Sequence, residues 1–199
     1  MNFLGIVIFI IWIYMLSVFK RAKTDYFYFL CGSIGLFVFM MITIQPIVTE
    51  ALMVTVTSTT GRIGKITGLC SAYQDYNILF VENSANHVAI SLYIDYECSG
   101  IIEMLVFVSL LAFFQVYDVL QRIVISIAGC FCIFIFNIIR ILCICGMIYY
   151  GGNDMYYIAH TIVGRIVFYV FSVILYYYVF THAQIVKQSI GGFGYTSDD

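Results

Sequence analysis

Long apolar runs separated by short polar turns set the organisation of this chain. The first run, Phe3–Phe19, is uninterrupted and long enough to cross a bilayer. It lacks a basic leader and an A-x-A site and ends in Lys20-Arg21-Ala22-Lys23, so it reads as a retained helix, not a cleaved signal peptide. Basic residues stay cytoplasmic, which places the N-terminus outside. A second run, Tyr26–Val48, returns the chain to the outer face. Residues 49–100 form the outer loop. Within it, Ala51–Cys70 mixes apolar, Thr and Gly residues with Arg62 and Lys65, the character of an interfacial or partly inserted helix. The period then changes to two: Val88, Ile90, Leu92 and Ile94 alternate with Ala89, Ser91, Tyr93 and Asp95. With Ile78–Val81 upstream, this predicts a small outer hairpin that leads directly into Cys98, with His87 in its turn. Three more runs follow, 101–117 inward, 123–150 outward and 157–180 inward, leaving 181–199 as a cytoplasmic tail. The expected fold is an all-α polytopic membrane protein of about five spans in a single membrane domain, 1–199, with a small hairpin before the third span.

Composition agrees. Of 199 residues, 63% are hydrophobic and 10% charged, and the mean hydropathy is +1.01, which excludes an ordinary soluble domain and disorder. The net charge of −2 is uninformative, and no basic run suggests nucleic acid as a partner. Seven cysteines suggest a redox or metal framework, but no CxxC pair exists and five lie in or beside apolar runs. Cys130/Cys132 and Cys143/Cys145 are two apart, so on a helix each pair points to different sides. Apolar filler is the simpler reading for all but Cys98 and Cys70. No metal or other cofactor is expected.

Charges inside membrane spans are costly, so each needs a reason. Arg140 lies eighteen residues after Arg122, a climb of roughly 27 Å, which brings it to the outer boundary. Asn137, three residues earlier, shares its face. His160 opens the last span and Cys98 opens the third. Topology alone therefore sets Cys98, Arg140 and His160 at one depth. A thiolate is favoured by nearby cations and by a helix N-terminus, and the N–H groups of Ser99 and Gly100 are candidates to face an oxyanion. Arg140 offers a permanent charge and His160 a group that titrates near neutrality. Such a set could form an acyl-thioester resolved by an amine, a hydroxyl or water. The plainer alternatives are a snorkelling Arg140, an interfacial His160, and a Cys98 that is inert or bridged to Cys70. They correspond to a non-enzymatic assembly or transport subunit, or a thiol–disulfide protein. Glu103 and Arg165 each lie five residues beyond a reactive neighbour, about 140° around an α-helix, and are expected to point away and pair with each other. His87 is a rival base, and His182 lies on the wrong side.

Cys98-Ser99-Gly100, Asn137-x-x-Arg140-Ile141 and His160-x-x-x-Gly164-x-x-x-Phe168 resemble the three signature blocks of the exosortase/archaeosortase family of membrane cysteine transpeptidases. The small size looks most like the short G-type exosortases of Gram-positive bacteria. The resemblance implies Cys98 as nucleophile, Arg140 and His160 completing the site, and a plasma-membrane enzyme working at the outer face. It implies as partners secreted proteins whose C-terminal sorting signal joins a short motif, a transmembrane helix and a basic tail. Membrane lipid surrounds the chain, and the acceptor nucleophile is left open. Gly164 would let a neighbouring helix approach the His160 face. Two departures stand out: the chain is short for the family, and Glu97 puts a negative charge beside Cys98, which would raise its pKa.

Overall fold

The computed structural model describes residues 3–84 and 88–186. His87, the rival base in the hairpin turn, lies outside the described residues, as does the tail beyond Val186. The first helix, α1 (Phe3–Arg21), ends on Lys20 and Arg21, cations that suit the negative end of the helix dipole. It packs on α2 (Asp25–Thr43), where the Trp12 indole N–H donates to the Cys31 carbonyl over 2.9 Å.

The second predicted run does not continue to Val48. Helix α2 stops at Thr43, and a new helix, α3 (Gln45–Thr67), starts after Ile44. Pro46 explains the break: it has no N–H to donate, and it fits in the first turn of a helix. The segment from Ala51, expected to form an interfacial or partly inserted helix, thus belongs to a 23-residue helix that starts earlier. Thr57, Thr60, Gly61 and Gly64 line its buried side and admit the next strand at close range.

Three strands follow, β1 (Ser71–Tyr73), β2 (Ile78–Glu82) and β3 (Ala89–Tyr93), in one antiparallel sheet of order β1-β2-β3. Ile78 faces Tyr93 and Glu82 faces Ala89 across the β2–β3 pair. The period-two pattern sends Leu79, Val81 and Leu92 inward, onto Val56 of α3 and Ile141, Ile144 and Ile148 of a later helix. β1 has no sequence signature. Three residues are too few to show a period, and the strand exists because β2 and α3 flank it.

The next helix, α4 (Ile101–Phe113), has 13 residues, about 20 Å. It is shorter than the predicted run to Tyr117, because Phe114 turns to extended backbone. Arg122 holds that end, donating from Nη1 to Ala112 O (2.8 Å) and from Nε to Tyr117 O (2.9 Å). A capping box of Asp118 and Gln121 starts α5 (Val119–Gly151). Its buried residues Ile133, Asn137, Ile138, Arg140, Ile141, Ile144, Cys145 and Ile148 recur at helical spacing and face the other elements. The last helix, α6 (Asn153–Val186), is continuous but not uniform: Ala159–Val163 and Tyr177–His182 are π-helical turns. Gly164 lies against Ile144 of α5; a Cβ there would sit 2.7 Å from Ile144 Cδ1. Among the described residues, α2, α5 and α6 are long and apolar enough to cross a membrane.

Candidate active site

Where the sheet meets the ends of α4, α5 and α6, a five-residue turn after β3 carries Cys98. Asp95 shapes it: the Cys98 N–H donates to Asp95 Oδ1 at 2.9 Å and to Asp95 O at 3.2 Å. Ser99 locks the next step, its hydroxyl donating to Tyr96 O (2.7 Å) and accepting from the Ile101 N–H (3.3 Å). Gly100 then turns the chain into α4 with φ +80°, a conformation that suits glycine. From α5, Asn137 Nδ2 donates to Cys98 O over 2.7 Å, so the loop is fixed from outside as well as within.

The thiol has two polar neighbours. His160 Nε2 lies 3.5 Å from Cys98 Sγ, and Arg140 Nη2 donates to it at 3.9 Å. The three residues that topology put at one depth meet in space. Arg140 is 7% exposed, and its guanidinium stands over the Phe168 ring at 5.8 Å. The His160 ring lies nearly parallel to that of Tyr156, with a 4° angle between planes and 6.1 Å between centroids.

The thiol is not pre-ionised. Burial pushes Cys98 up to about 11; Arg140 pulls it down, while Asp95, through charge and hydrogen bond, and Glu97 push it further up. The expected low-pKa thiolate is corrected: desolvation outweighs the cation. The Ser99 N–H, considered for an oxyanion role, donates to Tyr96 O at 3.3 Å.

Cys98, Arg140 and His160 open into a cavity of about 310 Å³. Asp95, Glu97 and Phe168 share its wall. So do Glu103 and Arg165, which were expected to point away and to pair with each other. They do neither. The Glu103 Oε2 atom is buried without a hydrogen-bond partner, and no ion pair joins it to Arg165. For Arg165 the cause is the π turn, whose i→i+5 bonds bring residues five apart closer to register than the about 140° of an α-helix. Sequence reasoning missed Asp95 and Tyr156, and it named Phe168 only within the third signature block, without its place under Arg140. Asp95 had a usable signal: an Asp three residues before a turn N–H is the pattern of a side chain capping that turn. His182 is at the far end of α6, beside Tyr178. Cys70 and Cys98 are both free thiols, and Cys70 packs in the same buried cluster as Cys145.

The model of one family, Exosortase_EpsH, described as transmembrane exosortase, matches residues 1–177. The chain belongs to the transmembrane exosortase family. No curated protein and no solved structure matches it. Exosortases are membrane cysteine transpeptidases, so this chain is a helical membrane protein of a transpeptidase family.

Proposed function

We propose that this exosortase-family protein cleaves C-terminal sorting signals of secreted proteins at the outer membrane face through an acyl-thioester on Cys98. The observation that carries the reading is the contact of Cys98 Sγ with His160 Nε2 at 3.5 Å and Arg140 Nη2 at 3.9 Å. Because the resting thiol is neutral, His160 removes its proton as Sγ attacks the substrate carbonyl. The carbonyl oxygen gains the negative charge and Arg140 stabilises it. As the C–N bond breaks, His160 returns the proton to the leaving amine, and the acyl group stays on sulfur. An acceptor amine, hydroxyl or water then gives a proton to His160, attacks the thioester and releases the Cys98 thiol. Asn137, Ser99 and Gly100 hold the loop, and Gly164 lets α6 carry His160 close to α5.

The wider proposal follows the family. The chain is a G-type exosortase with five membrane crossings and its cavity outside, and its substrates carry a transmembrane helix and a basic tail. Co-expression with such a tailed substrate tests it. Cys98→Ala, Arg140→Lys and His160→Ala should each insert normally and leave the substrate uncleaved. Loss of one transition-state donor alone costs about 10²–10³ in kcat. Normal processing by Cys98→Ala would discard the transpeptidase. Failure of Arg140→Lys to insert would favour a structural assembly role instead.

A further inference from the structure

Glu103 and Arg140 each carry a buried polar atom that the mechanism leaves unused. Glu103 Oε2 and Arg140 Nε have no hydrogen-bond partner among the described residues, and both side chains line the same cavity. Buried polar groups are rarely left unpaired, because losing water without a substitute is costly. The two helices aim these side chains at each other. A Cβ on Gly100 would lie 3.5 Å from Asn137 Cγ, so the start of α4 and this turn of α5 share one level. Glu103 is three residues further along α4 and Arg140 three further along α5, each on the face that meets there. The helices run antiparallel, so Glu103 lies toward the α4–α5 turn and Arg140 toward the sheet. Side chains lean toward the N-terminus of their own helix, so Glu103 leans toward the sheet and Arg140 toward the turn. They converge. The Arg140 guanidinium stands where this puts it, over Phe168 and against Cys98 Sγ. Of the cavity's two arginines, Arg140 is the one whose charge acts on Glu103.

We propose that Glu103 is a positioning residue: its carboxylate holds the Arg140 Nε–H through one bridging water and so fixes the guanidinium at the thiol. Oε2 and Nε give such a water an acceptor and a donor inside a polar cavity. Glu103 sits in the first turn of α4, where the positive end of the helix dipole favours a carboxylate. A guanidinium is planar, so a hydrogen bond at Nε decides where its Nη groups point. Nη2 reaches Cys98 Sγ at 3.9 Å, a contact that a small rotation would break. Phe168 supports the face of the group but leaves rotation within its plane free. The pose of Arg140 stands independently of the activity. Its effect on rate rests on the reading of Arg140 as the stabiliser of the oxyanion.

The test reads the arginine directly. In the full-length protein with isotope-labelled arginine, reconstituted in phosphatidylcholine nanodiscs, the Arg140 Nε–H resonance is assigned by its loss in Arg140→Lys. Its order parameter should be that of a rigid bond, well above that of Arg62, which is exposed on α3. Glu103→Met keeps the length of the side chain without the carboxylate, and the order parameter should fall toward that of Arg62. Glu103→Gln keeps an oxygen that can accept from the water, and should retain most of the order. With a tailed substrate, kcat should fall about tenfold in Glu103→Met at unchanged KM, and far less in Glu103→Gln. Should Glu103→Met fail to insert, Glu103→Ala takes its place. An Arg140 order parameter unmoved by loss of the carboxylate would overturn the proposal. So would a Glu103→Gln protein that holds Arg140 no better than Glu103→Met. Failure of the transpeptidase reading shows separately: Cys98→Ala would go on cleaving, and the order parameters would be untouched.

Discussion

Cys98, the proposed nucleophile, is kept as a thiol. Its surroundings contain one strong argument for ionisation, Arg140, and several against it: burial, the Asp95 carboxylate and Glu97. The group is an acid whose protonated form the fold favours, so its thiolate accumulates only as pH rises toward about 11. Iodoacetamide alkylation of Cys98 should therefore keep increasing through pH 9 and reach half of its plateau near pH 11. Asp95→Asn removes a raising charge while keeping an oxygen that can accept the Cys98 N–H, so the midpoint should move down. A midpoint near 6, or one that Asp95→Asn moves up, would contradict this electrostatic account. At the same scale the sequence picked out the acidic neighbour but weighed the wrong one first. Glu97 adjoins Cys98 in the chain, yet Asp95, three residues away, folds back onto the Cys98 N–H and acts on the thiol more strongly.

At the level of elements, helix contacts set the geometry of the site. Gly164 sits in a gap that one methyl would close, 2.7 Å from Ile144 Cδ1. Gly164→Ala should destabilise the protein by about 1–3 kcal/mol, the usual cost of overpacking, and should weaken processing as His160 is pushed from Cys98. Ile144→Val removes the clashing methyl and should recover much of both losses, a coupling that a double-mutant cycle in thermal unfolding would measure. Additive losses would mean the two side chains do not meet. The depth of Cys98, Arg140 and His160 was legible because span length and basic turns report height directly. The facing of Glu103 and Arg165 was not. It depends on a π turn in α6, which is a matter of backbone hydrogen bonding with no residue signature. The α2–α3 break was readable in principle, since Pro46 marks it, but the apolar run hides it.

Across the whole molecule, the sheet and the Cys98 loop lie at one end of the helices, and the α4–α5 turn held by Arg122 lies at the other end of α4. The proposed topology puts the first end outside. With the seven native cysteines replaced, Ser71→Cys should react with an impermeant maleimide on intact cells. Gln121→Cys should react only after permeabilisation. The reverse pattern would turn the protein over and place the cavity in the cytoplasm. In that proposed orientation the Cys98 thiol also meets oxidants that the cytoplasm removes, and thiolates, not thiols, are what those oxidants attack. With its pKa pushed up to about 11, Cys98 is held almost wholly as the protonated thiol at neutral pH. The same burial that makes Cys98 a poor nucleophile at rest gives it a long shelf life: the sulfur becomes vulnerable only in the moment a substrate carbonyl is there to take it.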